Sequence, residues 1–234
     1  MRWQPWYGNS LVAAARIVKN SIFSFNPREP QGFPGALFDL DGVVLDTEPQ
    51  YFRFWSWVGQ QRFPSMSDFA LRIKGMTLTH IKEEFFGKDA EALSWIDVQL
   101  RDFEWEMRYE FVPGAREYLQ RLADCGVKTA LVTSSDANKM WHVYRQIPDF
   151  DTLFSCMVTS EDVARGKPAP DGYLLAARRL GVPVEECVVF EDSRNGLLAA
   201  RASGAYVVGL TTTMQERVVE ELSDCVIHDF LDIL

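Results

Sequence analysis

Apolar and polar positions alternate in two different rhythms along this chain. The run Ala36-Leu37-Phe38-Asp39-Leu40 is short, apolar and closed by Asp-Gly, which predicts a buried strand followed by a turn. From about Pro49 to Val112 strand-like runs are missing. Phe52, Trp55 and Val58, and later Gln99, Phe103 and Met107, recur at helical spacing, so a bundle of several short helices is predicted. Beyond Pro113-Gly114 helix and strand alternate. Helices are predicted over Ala115 to Ala123, Ala137 to Gln146, Tyr173 to Leu180 and Gly196 to Ala202. Strands are predicted over Thr129 to Thr133, near Met157, over Cys187 to Phe190 and over Tyr206 to Leu210. Gly126, Gly181 and Gly204 stand where helices should end. This alternation predicts an α/β fold, with a parallel sheet covered on both faces and ligands bound beyond the carboxyl ends of the strands.

Composition narrows the class. The 234 residues hold 24 Lys plus Arg against 33 Asp plus Glu, a net charge of -9. That balance argues against non-specific nucleic-acid binding, which needs a basic patch, but an anionic substrate stays open because a metal and one lysine can reverse a local field. No apolar run approaches the roughly 20 residues needed to cross a bilayer, so no membrane role is expected. Cys125, Cys156, Cys187 and Cys225 are widely spaced and only three His are present, which fits reduced thiols in an intracellular protein. Cys187 and Cys225 each open an apolar run and are read as core packing. Residues 1–28 carry Arg2, Arg16, Lys19 and Arg28 but no acid. A cytoplasmic location is expected, with an organelle-targeting segment as the alternative reading of that start. The Pro/Gly-rich stretch from Asn26 to Gly35 reads as a linker, which sets residues 1–34 apart as an extension.

Polar groups collect at the predicted strand ends. Asp39 and Asp41 follow the first strand; Thr133, Ser134 and Ser135 follow the second; Glu191 and Asp192 follow the strand Val188 to Phe190. Lys167 lies in the loop Arg165 to Asp171. Carboxylates gathered in one small volume repel unless a cation compensates them. Oxygen-only ligands suit Mg2+, and a lysine with hydroxyls completes a phosphoryl pocket. An aspartate there can act as nucleophile, and a second acid two residues on can give and then take a proton. Each group also has a plainer reading: Asp41 as a turn residue, Thr133 and Ser134 or Glu191 and Asp192 as helix caps, Lys167 as a solvated charge.

In this order and spacing the residues resemble the haloacid dehalogenase superfamily. Its DxDGx(3)D motif stands as Asp39-Leu40-Asp41-Gly42-Val43-Val44-Leu45-Asp46. The second motif stands as Leu131-Val132-Thr133-Ser134, the third as Gly166-Lys167-Pro168, and the fourth as Glu191-Asp192-Ser193 followed by Asn195-Gly196. The resemblance implies a three-layer, Rossmann-like parallel sheet core over 35–48 and 113–234, with a helical cap inserted over 49–112. It implies Asp39 as nucleophile and Asp41 as general acid/base. Asp39, Asp192 and the Asp41 carbonyl are implied as Mg2+ ligands, with Glu191 supporting through water or directly. Thr133, Ser134 and Lys167 are implied to hold the phosphoryl group, and Lys74 in the cap to contact substrate.

The implied activity is hydrolysis of a small phosphomonoester, such as a sugar phosphate, by a monomer or weak homo-oligomer. The runner-up is a β-phosphoglucomutase-like mutase. Those relatives carry a histidine where Tyr51 stands here and a cap arginine where Leu78 stands, and both departures favour water as the final acceptor. The third reading, a binding protein retaining the fold without activity, sits poorly with an intact set of Asp39, Asp41, Lys167 and Asp192.

Overall fold

The computed structural model describes residues 32–74, 76 and 78–234. The N-terminal extension and its possible targeting role lie almost wholly outside the described residues. Strand β1 (Gly35–Phe38) is followed by helices α1 (Glu48–Arg62), α2 (Phe69–Arg72) and α3 (Leu78–Ile81), a π-helical turn over Lys82–Phe86, and α4 (Ala90–Glu106). Then come α5 (Ala115–Asp124), β2 (Lys128–Val132), α6 (Ala137–Gln146), β3 (Cys156–Val158), α7 (Asp171–Leu180), β4 (Cys187–Glu191), α8 (Arg194–Ser203), β5 (Tyr206–Leu210), α9 (Glu216–Leu222) and β6 (Cys225–Ile227).

The sheet has six strands in the order β3-β2-β1-β4-β5-β6, and each neighbouring pair is parallel. Strand order reverses beside β1, and the crevice beyond the carboxyl ends of β1 and β4 is where such sheets bind ligands. Both sheet faces are covered, so successive strand residues enter opposite cores. Phe38, Leu131, Phe190 and Val208 pack against Tyr118, Leu122, Met140 and Val143 of α5 and α6. Leu37, Ala130, Val189 and Val207 pack against Tyr173, Ala176, Leu197, Ala200 and Val219 of α7 to α9. Phe38 and Phe190 stack at 4.6 Å across neighbouring strands. Burying one such side chain is worth about 1.5–3 kcal/mol, so these layers hold the strand ends in fixed register. Cys187 is buried, as expected, while Cys225 on the edge strand is half-buried.

The α1–α4 segment has its own apolar centre, built from Phe54, Val58, Phe69, Ile81, Phe86 and Ile96. Phe52 and Trp57 are outside it: Phe52 is 43% exposed and Trp57 is 37% exposed. On α1 they fall away from the face that carries Phe54 and Val58, and Trp57 instead stacks on Trp95. Met107 lies just past α4 and packs into the sheet core. The two chain segments joining this helical insert to the sheet lie side by side. Asp46 N donates to Glu110 O at 2.8 Å and Val112 N to Val44 O at 3.0 Å. The Gln50 side chain exchanges hydrogen bonds with the Arg108 backbone.

Candidate active site

Sheet register brings the carboxylates together. Phe38 pairs with Phe190, so the next residues, Asp39 just past β1 and Glu191 at the end of β4, stand at the same level. Asp39 N still donates to Phe190 O at 3.1 Å. Asp39, Glu191 and Asp192 are all buried, and ligand oxygens of the three lie within 4.8 Å of one another.

Each of these groups has a distinct set of partners. Lys167 reaches across to ion-pair with both Asp39 and Glu191. Glu191 is the most saturated of the three. Its Oε1 accepts from Lys167 and Tyr173, and its Oε2 from the backbone N–H groups of Asp192 and Ser193 and from the Ser193 hydroxyl. Asp192 is held on one side only. Its Oδ2 accepts from Thr213 and, at 3.3 Å, from Thr212, while among the described residues its buried Oδ1 has no hydrogen-bond partner. An unpartnered buried carboxylate oxygen beside two more carboxylates is costly, and a hard divalent cation matches that donor set.

The electrostatics agree. Burial pushes the Asp39 carboxyl up to about 7, with Lys167 opposing and Glu191 and Asp41 adding to the rise. Burial, Glu191 and Asp39 hold Asp192 well above the usual carboxylate range. Burial opposes the charge on Lys167, but Asp39 and Glu191 outweigh it and raise its pKa. Asp41 goes the other way. Burial would raise it, yet the Lys139 charge and hydrogen bonds from Lys139, Thr47 and Ser135 keep it below the usual range.

A pH-dependent metal effect follows. With Asp39 and Asp192 raised in the folded state, the native site holds protons that the unfolded chain has already released between the ordinary carboxylate range and about pH 7. Without a cation, this contribution to stability therefore falls as pH rises through that window. A divalent cation held by the same carboxylates would take over from the protons. Such binding, tested with Mg2+, is expected to raise Tm by several degrees (about 2.7 kcal/mol at a hundredfold excess over Kd, with each kcal/mol worth roughly 2–4 °C at this size), and by more at pH 8 than at pH 5. Thermal melts with Mg2+ and with EDTA at both pH values check this; equal shifts at both would contradict it.

Helix N-termini show where the plainer readings go. Asp136 caps α6, accepting from Lys139 N, and Ser193 caps α8, accepting from Gly196 N. Thr133 and Asp192 are therefore not needed as caps. Thr133 Oγ1 accepts from Ser135 N at 3.0 Å, which leaves its own proton to donate. A cavity of about 750 Å³ opens over the carboxylates. Its lining includes Asp39, Asp41, Thr133, Ser134, Lys167 and Asp192 from the sheet side, and Lys74, Tyr51 and Trp55 from the insert. Lys74 is exposed at the rim, where its charge opposes the rise that burial imposes on the Glu48 carboxyl. Arg53 is exposed and outside this lining.

Several site residues escaped the sequence pattern. Thr212 and Thr213 follow β5, and their position at a strand exit was the available signal. Tyr173 is buried on α7 among the apolar residues of its face. Lys139 reads as a surface helix charge, yet it is only 5% exposed and grips both oxygens of Asp41 at 2.7 Å.

A family model described as haloacid dehalogenase-like hydrolase matches residues 33–204. The chain belongs to the haloacid dehalogenase-like hydrolases. Among the relatives of this haloacid dehalogenase-like hydrolase, hexitol phosphatase A of Escherichia coli is 31% identical over 204 residues, covering 85% of this chain and 92% of its own. The phosphorylated carbohydrates phosphatase of Thermotoga maritima is 34% identical over 177 residues, covering 72% and 81%. A family IA haloacid dehalogenase hydrolase from Entamoeba histolytica superposes with a TM-score of 0.74 at 23% identity, over 86% of this chain and 95% of that one, and shares the fold. No described helix is long and apolar enough to cross a membrane.

Proposed function

We propose that this hydrolase is a Mg2+-dependent phosphatase that cleaves a small phosphomonoester, such as a sugar phosphate, through an aspartyl-phosphate on Asp39. The observation that carries this reading is the placement of Asp39, in strand register beside Glu191 and ion-paired to Lys167, on the floor of a cavity that Asp41 and Thr133 also line. The phosphatase names of its relatives point the same way.

Asp39 and Asp192, with the Asp41 backbone carbonyl and with Glu191 in support, would hold Mg2+. When bound, the ion neutralises charge and polarises the phosphoryl oxygens. Lys167, the Thr133 hydroxyl and the backbone at Ser134 hold those oxygens. A carboxylate oxygen of Asp39 attacks phosphorus, the bond from phosphorus to the ester oxygen breaks, and Asp41, which enters each turnover protonated although Lys139 keeps it ionised in the substrate-free site, gives its proton to that oxygen. Water then attacks phosphorus, its proton passes to Asp41, and the bond to Asp39 breaks to release phosphate. The helical insert serves as the cap that closes over the cavity and excludes bulk water.

A mutase reading finds less support. Tyr51 is occupied between Lys139 and Glu104, and Leu78 brings no charge to the cavity. Phosphate release from a panel of phosphorylated metabolites, with and without Mg2+ and with added sugar bisphosphate, tests the proposal. Mg2+-dependent release indifferent to bisphosphate supports it. Acceleration by bisphosphate turns the reading to a mutase, and no release from any member, an activated aryl phosphate included, sinks it.

Asp41→Asn provides a second check on roles. Turnover of an alkyl phosphate is expected to fall about 100-fold or more, and turnover of 4-nitrophenyl phosphate much less, because that leaving group needs no proton. Equal losses in the two kcat values would remove Asp41 from the acid role.

A further inference from the structure

Lys139 sits where the sheet domain, the helical insert and Asp41 meet. It lies in the first turn of α6, and its side chain is only 6% exposed while its ammonium pairs with both Asp41 oxygens. The same nitrogen donates to Tyr51 Oη at 2.8 Å and lies 4.7 Å from the centre of that ring. Tyr51 Oη, on α1, donates in turn to Glu104 Oε1 of α4 at 2.8 Å. Burial and the neighbouring Asp41 and Glu104 keep that phenol protonated and so able to donate. Two insert helices therefore converge through one hydroxyl on one lysine of the sheet domain, and that lysine grips the carboxylate proposed to handle the leaving-group proton.

We propose that Lys139 is a positioning residue that fixes the Asp41 carboxylate, and that Tyr51 and Glu104 of the insert in turn fix Lys139, so that the placement of the insert is transmitted to the acid–base group. This rests on the reading of Asp41 as general acid/base. A carboxyl group free to rotate presents its oxygen to the leaving group only part of the time, whereas a pair bonded at both oxygens has one orientation. Thr47 and Ser135 add one contact each, at 2.6 and 3.2 Å, but both belong to the sheet side or its edge and carry nothing from α4. Among the described residues, only the Lys139–Tyr51–Glu104 chain joins Asp41 to both long insert helices by hydrogen bonds. Lys139 is not assigned to phosphate binding, because its donors already face Asp41 and Tyr51 rather than Asp39.

The test compares Lys139→Met, Lys139→Arg, Tyr51→Phe, Glu104→Gln and the Lys139→Met/Tyr51→Phe pair in the full chain, on an alkyl phosphate and on 4-nitrophenyl phosphate. Lys139→Met is expected to lower kcat on the alkyl ester about 100-fold, to cost 4-nitrophenyl phosphate less than about tenfold, and to leave both KM values within about threefold. Lys139→Arg is expected to restore part of the loss. Tyr51→Phe and Glu104→Gln are expected to lower alkyl kcat several-fold, and Tyr51→Phe to add nothing once Lys139 is gone, since residues acting in series are not additive. Equal losses on both substrates, a loss confined to KM, or effects of Lys139 and Tyr51 that multiply would each overturn the proposal. Should Lys139→Met fold poorly, because it leaves Asp41 buried without its countercharge, the Tyr51→Phe comparison decides alone: leaving-group-dependent loss supports the proposal and equal loss defeats it. Failure of the underlying reading looks different. There, Asp41→Asn itself shows no dependence on the leaving group; a sensitive Asp41→Asn beside an insensitive Lys139→Met defeats the positioning role only.

Discussion

Asp39→Asn is expected to lower phosphate release by on the order of 10⁴-fold or more while leaving the protein folded and at least as stable. The amide is nearly isosteric but cannot form the acyl phosphate, so the loss falls on kcat. Stability moves the other way for an electrostatic reason. The Asp39 carboxyl is already pushed up to about 7 by burial, with Glu191 and Asp41 nearby, so a neutral side chain there removes a repelling charge. Lys167 keeps Glu191 as its partner. Phosphate release assayed beside a thermal melt separates the two effects. Residual turnover within tenfold of wild type would show that the nucleophile lies elsewhere, and inactivity with a collapsed melt would show that Asp39 matters for folding instead.

Gly196→Ala is the substitution expected to damage the protein most. A Cβ at this position would lie 1.7 Å from Glu191 Oε1, 1.9 Å from its Cδ and 2.2 Å from its Oε2. A surface carboxylate would swing aside at little cost. Glu191 is fully buried, and its two oxygens hold Lys167, Tyr173, the backbone of Asp192 and Ser193, and the Ser193 hydroxyl. Moving it breaks a buried ion pair, which typically costs about 3–5 kcal/mol. In a domain of this size the expected fall in Tm is on the order of 10 °C, with activity lost in parallel as Lys167 loses its anchor. A variant melting within about 2 °C of wild type would mean that α8 shifts freely and that Glu191 does not fix the site.

The sheet was legible because it is buried on both faces. Runs such as Val188-Val189-Phe190 and Tyr206 to Leu210 have one reading at that length, and Gly181 and Gly204 mark helix ends with positive φ. Strand β6 was missed: Cys225–Ile227 has three residues at the sheet edge, too short for any period to register. Strand order was not readable either, because it depends on which crossovers turn back across β1. At the site, groups at strand exits stood out, since topology alone gathers Asp39, Thr133 and Asp192. Groups that reach the site from within helices did not. Lys139 and Tyr173 are spaced like ordinary members of amphipathic helices, and only the packing of α6 and α7 turns them toward the carboxylates. The helical insert gave up least, because Phe52 and Phe54 are alike in composition and opposite in burial.

The adjacency of Asp46 with Glu110 and of Val44 with Val112 has a consequence for how such an enzyme can diversify. The insert departs and returns across a single pair of hydrogen-bonded segments, so its length, helices and lining can be rebuilt, or exchanged for another lineage's, without altering the spacing of the carboxylates on the sheet. Innovation in what is recognised is thereby uncoupled from conservation of how it is cut. The thread from Glu104 and Tyr51 to Lys139 crosses that boundary and reaches Asp41, so it is a part that an exchanged insert would have to bring with it.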